Sequence, residues 1–150
     1  MKYSSEIEIN LPVSKVVELF DNPENLKYWQ PGLKSFEHIS GTPGQPGAKS
    51  KLVFQMGSRE IVMIETITVR NLPQEFSGTY EAPGVFNIVK NYFVSIDDDT
   101  TKYISEQEFQ FKGMMKIMGW LMPGMFKKQS LDFLQKFKSF AEAAAMPAHR

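Results

Sequence analysis

Apolar and polar residues alternate along KYSSEIEINLP, residues 2–12, which predicts a strand with Tyr3, Ser5, Ile7 and Ile9 on one face. The alternation stops at Leu11-Pro12, and the period then changes. In VSKVVELF the apolar residues Val13, Val16, Val17 and Phe20 fall at helical spacing behind Pro12. A second short helix is expected in DNPENLKYWQPG, with Asp21 or Asn22 as its cap, Pro23 in its first turn and Pro31-Gly32 as its end.

From residue 33 to 111 the pattern is a run of strands broken by turn residues at Gly41 to Gly47, Gly57-Ser58, Asn71 to Pro73, Pro83-Gly84 and Asp97 to Asp99. The strands predicted are 33–40, 49–56, 59–70, 75–82, 85–96 and 101–111, which with the first make seven. Connections this short join neighbours as antiparallel hairpins. From Met125 the period is helical to the end, with Phe126, Ser130, Phe133, Phe137, Phe140 and Ala144 on one face and Leu134 and Ala141 beside it. Such a helix of roughly 22 residues is about 33 Å long, enough to cross a small domain. The pattern predicts one α+β domain over residues 1–146, followed by a tail at 147–150.

A sheet of seven strands must twist, and it curls around whatever covers its apolar face. The long helix is the only element large enough to do so. A bent sheet over a straight helix leaves an interior that side chains fill poorly, above all near the amino end of the helix. A cavity is therefore expected there.

Composition narrows the function classes. Seventeen basic residues balance seventeen acidic ones with no basic run, so no field draws in a phosphate backbone and nucleic acid is excluded as a partner. Cysteine is absent, which removes disulfides, thiolate metal sites and a cysteine nucleophile. MKYSSEIEIN lacks the apolar core of a signal peptide, so a cytoplasmic location is expected. No cofactor is implied.

The element order, together with LPVSKVVELFDNPENLKYWQPGLKSFEHISGTPGQPGAKSKLVF, resembles the helix-grip superfamily called SRPBCC, which includes polyketide cyclases, StAR-related lipid-transfer domains and birch-pollen-allergen-type proteins. The recognisable pieces are Pro12 opening the first helix, Phe20-Asp21 closing it, Trp29 before Pro31-Gly32, and the glycine-rich turn ending at Gly47. The resemblance covers nearly the whole chain and implies a pocket between sheet and long helix. It implies a place more than a reaction, because the superfamily holds binding proteins, lipid carriers, chaperone activators and some enzymes.

Several motifs bear on that pocket. GTPGQPGAKS fails as a phosphate loop, because Ala48 separates Gly47 from Lys49 and Pro43 and Pro46 remove backbone donors; it reads as a hairpin loop. His38 shares a strand face with Phe36 and is a candidate for a polar contact to ligand or for general-base catalysis. Glu65 lies inside the apolar run IVMIETITV, where both faces are apolar, and is expected to point outward or to pair with a cross-strand Arg or Lys; pointing inward, where its pKa would rise, it is the other candidate for proton chemistry. DDDTT reads as a hairpin turn, and Glu106 and Glu108 as a solvated strand face.

In the last strand Tyr103, Ser105, Gln107, Phe109 and Phe111 share one face, a mixture of aromatic and polar groups suited to a wet pocket. Neighbouring strands are expected to add Tyr92, Tyr80, Phe76, Phe54 and Met63, and the long helix Phe133. Between strand and helix, KGMMKIMGWLMPGMFKK, residues 112–128, holds five of the nine methionines. Its least polar part is half of the about 20 residues a membrane span needs and contains Pro123-Gly124, so spanning is excluded. Transient contact with a membrane surface stays open, since Trp120, Leu121 and flanking lysines suit a headgroup boundary. The favoured reading is a pocket lid, with Met118, Met122 and Phe126 turned inward if the helix is continuous. The whole predicts a binder or carrier of a hydrophobic or amphipathic small molecule. A cyclase- or dehydratase-like enzyme and a chaperone-activator-like interaction module are the alternatives.

Overall fold

A computed structural model describes residues 1–146, so the tail at 147–150, including His149, lies outside the described residues. Strand β1 (Lys2–Ile9) leads into helix α1 (Val13–Phe20), a 3-10 turn at Pro23–Asn25 and the single-turn helix α2 (Leu26–Trp29). Asn22 caps the 3-10 turn by accepting from the Glu24 amide at 3.0 Å, with Pro23 at the position where a missing amide costs least. Six strands follow: β2 (Leu33–Ser40), β3 (Lys49–Met56), β4 (Arg59–Asn71), β5 (Glu75–Ala82), β6 (Val85–Asp97) and β7 (Thr100–Phe111). Helices α3 (Met114–Leu121) and α4 (Pro123–Ala144) end the chain.

The strands form one antiparallel sheet in the order β1-β7-β6-β5-β4-β3-β2. This is the curved, seven-stranded helix-grip arrangement, with predicted and observed strand ends differing by one residue or none from β2 onward. The loop joining β2 to β3 turns on Gly41, Gly44 and Gly47, all with φ near +80° to +90°, a region closed to most side chains. At the other long hairpin, Asp99 donates its amide to the Asp97 carboxylate at 2.8 Å and closes the turn between β6 and β7.

Helix α4 lies along β1, its amino end tied by Tyr3, whose hydroxyl donates to the Phe126 carbonyl at 2.8 Å. Near its carboxy end Glu142 accepts from the Asn10 amide at 2.8 Å and from Lys138. The buried stripe of α4 is Ser130, Leu134, Phe137 and Ala141. Ala144, expected on that stripe, is exposed, whereas Ala145, four residues after Ala141, is half-buried and continues it.

The dry core sits beneath the carboxy-terminal half of α4. Phe20, at the end of α1, packs against Trp29, Phe76, Phe93, Tyr103 and Phe137 with ring centroids 4.9 to 5.9 Å apart. Most of these contacts are edge-on, the geometry aromatic quadrupoles favour. Phe20 is aimed inward by a clamp at the next residue. Arg70 donates to both Asp21 carboxylate oxygens at 2.6 Å, joining the end of α1 to β4. A β-bulge between Ile67 and Val69 brings Arg70 to the inner face, opposite Phe76.

The candidate ligand site

Strand register decides which candidates share a surface. Residues paired across antiparallel strands project on the same side, and the pairs His38↔Ser50, Ser50↔Glu65, Glu65↔Tyr80, Tyr80↔Asn87 and Asn87↔Phe109 run as one row from β2 to β7. Phe109 packs on Phe126 of α4 with centroids 5.1 Å apart, so this row is the inner face, turned toward the amino end of the helix. Met63 and Gln107 flank the row on β4 and β7, two residues from Glu65 and Phe109.

Glu65 is the charged group of the site. Tyr80 donates its hydroxyl to Glu65 Oε2 at 2.7 Å. Burial pushes the Glu65 carboxyl above its ordinary range, and the Tyr80 hydrogen bond offsets part of that rise. Burial and the adjacent carboxylate together push the Tyr80 hydroxyl well up, so it stays a donor. Among the described residues Oε1 of Glu65 has no hydrogen-bond partner, and it is not sealed from water. The site therefore has a desolvated carboxyl with one free oxygen.

Beside this pair runs a polar chain: Asn87 donates to Gln107 Oε1 at 3.0 Å, and Gln107 donates to Ser105 Oγ at 2.9 Å. Met63, Glu65, Tyr80, Asn87, Gln107 and Phe109 all keep partial exposure although they face α4. The same face one layer deeper is closed: Asn91, Tyr103 and Ser105 are buried, and Tyr103 donates to Asn91 Oδ1 at 2.8 Å. Phe126, half-buried, sits over Phe109 and Phe111, while Phe133 lies two turns from Phe140, which stacks on Tyr28 of α2. Phe133 is thus on the flank of α4 that faces away from β1.

Other candidates are placed elsewhere. Tyr92 pairs with Glu75 and Ile104 and lies on the outer face, which corrects the expectation that it sides with Tyr103. Both faces of β6 are apolar, and Lys90, two residues before Tyr92, is the sequence signal for the outer side. Asn87 has the inner parity and was missed for the same reason. His38 is on the expected face but exposed, and Phe36 is half-buried, because β2 is the sheet edge and α4 does not reach it. Phe54 and Tyr103 are buried in the packed interior, and Phe76, half-buried, packs edge-on against Phe20 of the core.

The expected inward face of Met118, Met122 and Phe126 does not form. Met122 has φ −132° and ψ 54°, which ends α3 and restarts the chain as α4 at Pro123. Met118 and Met122 are exposed and only Phe126 turns in. Two clefts on the surface are open and superficial. One, of about 520 Å³, runs along Val13, Pro73, Tyr92 and Ile104, and the other, of about 440 Å³, along Pro23, Lys27, Lys34 and Phe36. Neither is lined by Glu65 or by an α4 residue, so neither is the cavity expected beneath the amino end of the helix. Among the described residues no three His, Asp or Glu side chains are grouped to hold a metal ion.

Solved structures share this architecture. A conserved protein from Geobacillus kaustophilus is 20% identical with a TM-score of 0.82, covering 96% of this chain and 97% of its own. The Zhui aromatase/cyclase from Streptomyces sp. R1128 is 11% identical with a TM-score of 0.80, at 97% and 96% coverage. Norcoclaurine synthase from Thalictrum flavum, solved with dopamine and hydroxybenzaldehyde, is 15% identical with a TM-score of 0.71, at 99% and 89%. At these identities the likeness is one of fold. No curated protein matches the sequence. Residues 1–142 match the family described as polyketide cyclase / dehydrase and lipid transport, and the chain belongs to that family. Family and fold together support ligand binding in a hydrophobic cavity.

Proposed function

We propose that the domain binds an apolar or amphipathic small molecule beneath the amino-terminal half of α4, against Met63, Phe109, Phe126 and Phe133. A hydrogen-bond donor of the ligand meets the free oxygen of Glu65, and Asn87 and Gln107 help to orient it. The observation that supports this reading is the Glu65–Tyr80 pair: a carboxyl desolvated enough to have a raised pKa, yet left with an open acceptor on a partly wet wall. Affinity would come mainly from apolar burial, at roughly 25 cal/mol per Å², with the polar groups setting orientation.

The test is displacement of an environment-sensitive apolar dye by long-chain fatty alcohols and amines, compared with alkanes of equal length. Donor-bearing ligands should compete better, and Glu65→Leu should erase their advantage while leaving the alkanes unchanged. Phe109→Lys should weaken all of them at least about tenfold, since a cation would then occupy the apolar wall. Full affinity in Phe109→Lys would reject this location.

A second reading rests on the same pair. A carboxyl that holds its proton above the ordinary range, hydrogen-bonded to a tyrosine, is equipped to move a proton on a bound carbonyl compound, as a cyclase- or dehydratase-like reaction requires. In that case Glu65→Gln would abolish turnover of such a substrate while the dye still binds. His38, exposed on the edge strand, has no part in this reading.

A further inference from the structure

Large apolar side chains are most exposed along α3 and the first turn of α4. Met114 and Trp120 are 81% and 80% exposed, and Ile117, Leu121, Met122 and Met125 lie between 42% and 63%. This face is held outward by what α3 uses to seat itself. Gly119 rests on Phe111 so closely that a Cβ there would come within 2.5 Å of the ring. On the same side of the helix, Met115 packs against Gly84 in the turn between β5 and β6. Turning Ile117 or Trp120 inward would lift α3 off both contacts. A contiguous apolar face of this kind, fixed by packing, marks an interaction surface.

Its charge indicates the occupant. Lys112, Lys116, Lys127 and Lys128 surround the apolar face, all exposed, and no acidic residue occurs between Glu108 and Asp132. In a chain whose charges balance overall, that segment is purely cationic. The bounding acids are already engaged, Glu108 with Lys2 and Asp132 with Lys136, whereas none of the four lysines forms an ion pair among the described residues. A second copy of this chain would bring one lysine ring against another. An anionic lipid surface meets both features, since its phosphates neutralise the lysines while Trp120, Leu121 and the methionines enter the acyl boundary.

We propose that α3 and the α3–α4 junction dock the domain onto anionic lipid bilayers. Contact is interfacial, because no helix among the described residues is long and apolar enough to cross a membrane. Phe111, behind Gly119, also touches Phe126 and Phe109, so docking brings lipid close to the partly wet end of the interior. The proposal does not depend on what that interior binds.

The chain's two tryptophans provide the readout, since Trp29 is buried and only Trp120 can change surroundings on docking. Full-length protein is mixed with vesicles of phosphatidylcholine alone or with about a third phosphatidylglycerol, and cosedimentation and tryptophan emission are recorded. The anionic vesicles should sediment the protein and shift its emission to the blue, at least about tenfold more tightly than neutral ones, and high salt should reverse this. Trp120→Ser with Leu121→Ser, and separately Lys127→Glu with Lys128→Glu, should each weaken binding about tenfold or more, with unfolding curves like the parent's. The proposal is overturned if the parent fails to sediment with anionic vesicles, or binds neutral ones equally well. It is also overturned if the serine variant binds lipid unchanged, or if the protein ignores vesicles and forms a dimer that this variant abolishes.

Discussion

The two ends of the space beneath α4 are built by the same sheet and the same helix, yet one is dry and the other partly wet. Under the carboxy-terminal half, Phe20 and Trp29 enter from α1 and α2 and fill the volume with Phe93, Tyr103 and Phe137. Under the amino-terminal half no such plug arrives among the described residues, and the wall is the row of Glu65, Tyr80, Asn87 and Phe109. The sheet and helix create the space. The short helices, clamped by Arg70 on Asp21, decide which part of it is filled.

The comparison breaks most decisively on truncation at each end. Phe137→Ala, at a site with 0% exposure, should cost about 3–5 kcal/mol, the range for a large buried aromatic replaced by alanine. Phe109→Ala, at the wet end, should cost roughly 1 kcal/mol, because its ring is already partly solvated. Urea denaturation of both variants measures the difference, and equal losses would mean that both ends are core.

A smaller effect concerns Glu65. Its folded pKa lies above the ordinary 4.5, so the unfolded chain ionises first as pH rises. The native state thus keeps its full advantage below that ordinary value and loses part of it as pH climbs through the raised one. Glu65→Gln removes this loss while preserving an acceptor for Tyr80. Relative to the parent, the variant should gain stability with rising pH, as read from urea midpoints across the acid-to-neutral range. Parallel curves would show that Glu65 is as solvated folded as unfolded.

The smallest expected effect is at the sheet edge. His38→Ala should change stability by less than about 0.5 kcal/mol and leave dye affinity intact, since the side chain is exposed on β2. A marked loss of affinity there would extend the site to the far edge of the sheet and blur the contrast between its ends.

Much of this was legible along the chain. Strand limits followed from turn residues, and the inner parity of β1 and β7 followed from alternation, so Gln107 and Phe109 were placed on the correct face. Parity failed at β6, where both faces are apolar and Tyr92 was drawn inward. It was insufficient at β2, where His38 has the inner parity but is exposed on the sheet edge. Periodicity also misled at residues 118–126, because a single non-helical residue, Met122, rotates everything before it relative to α4.

The sequence by itself determined the element order, the seven-stranded sheet and the helix laid across it, because local periodicity and turn chemistry act within a few residues. Only the tertiary structure decided that Phe20 is a plug, that Glu65 meets Tyr80, and that the methionines of α3 face outward. Those outcomes depend on which distant groups compete for the same volume. The bulge at Ile67, the clamp from Arg70 to Asp21 and the close seat of Gly119 on Phe111 settle that competition through contacts between different elements of the fold.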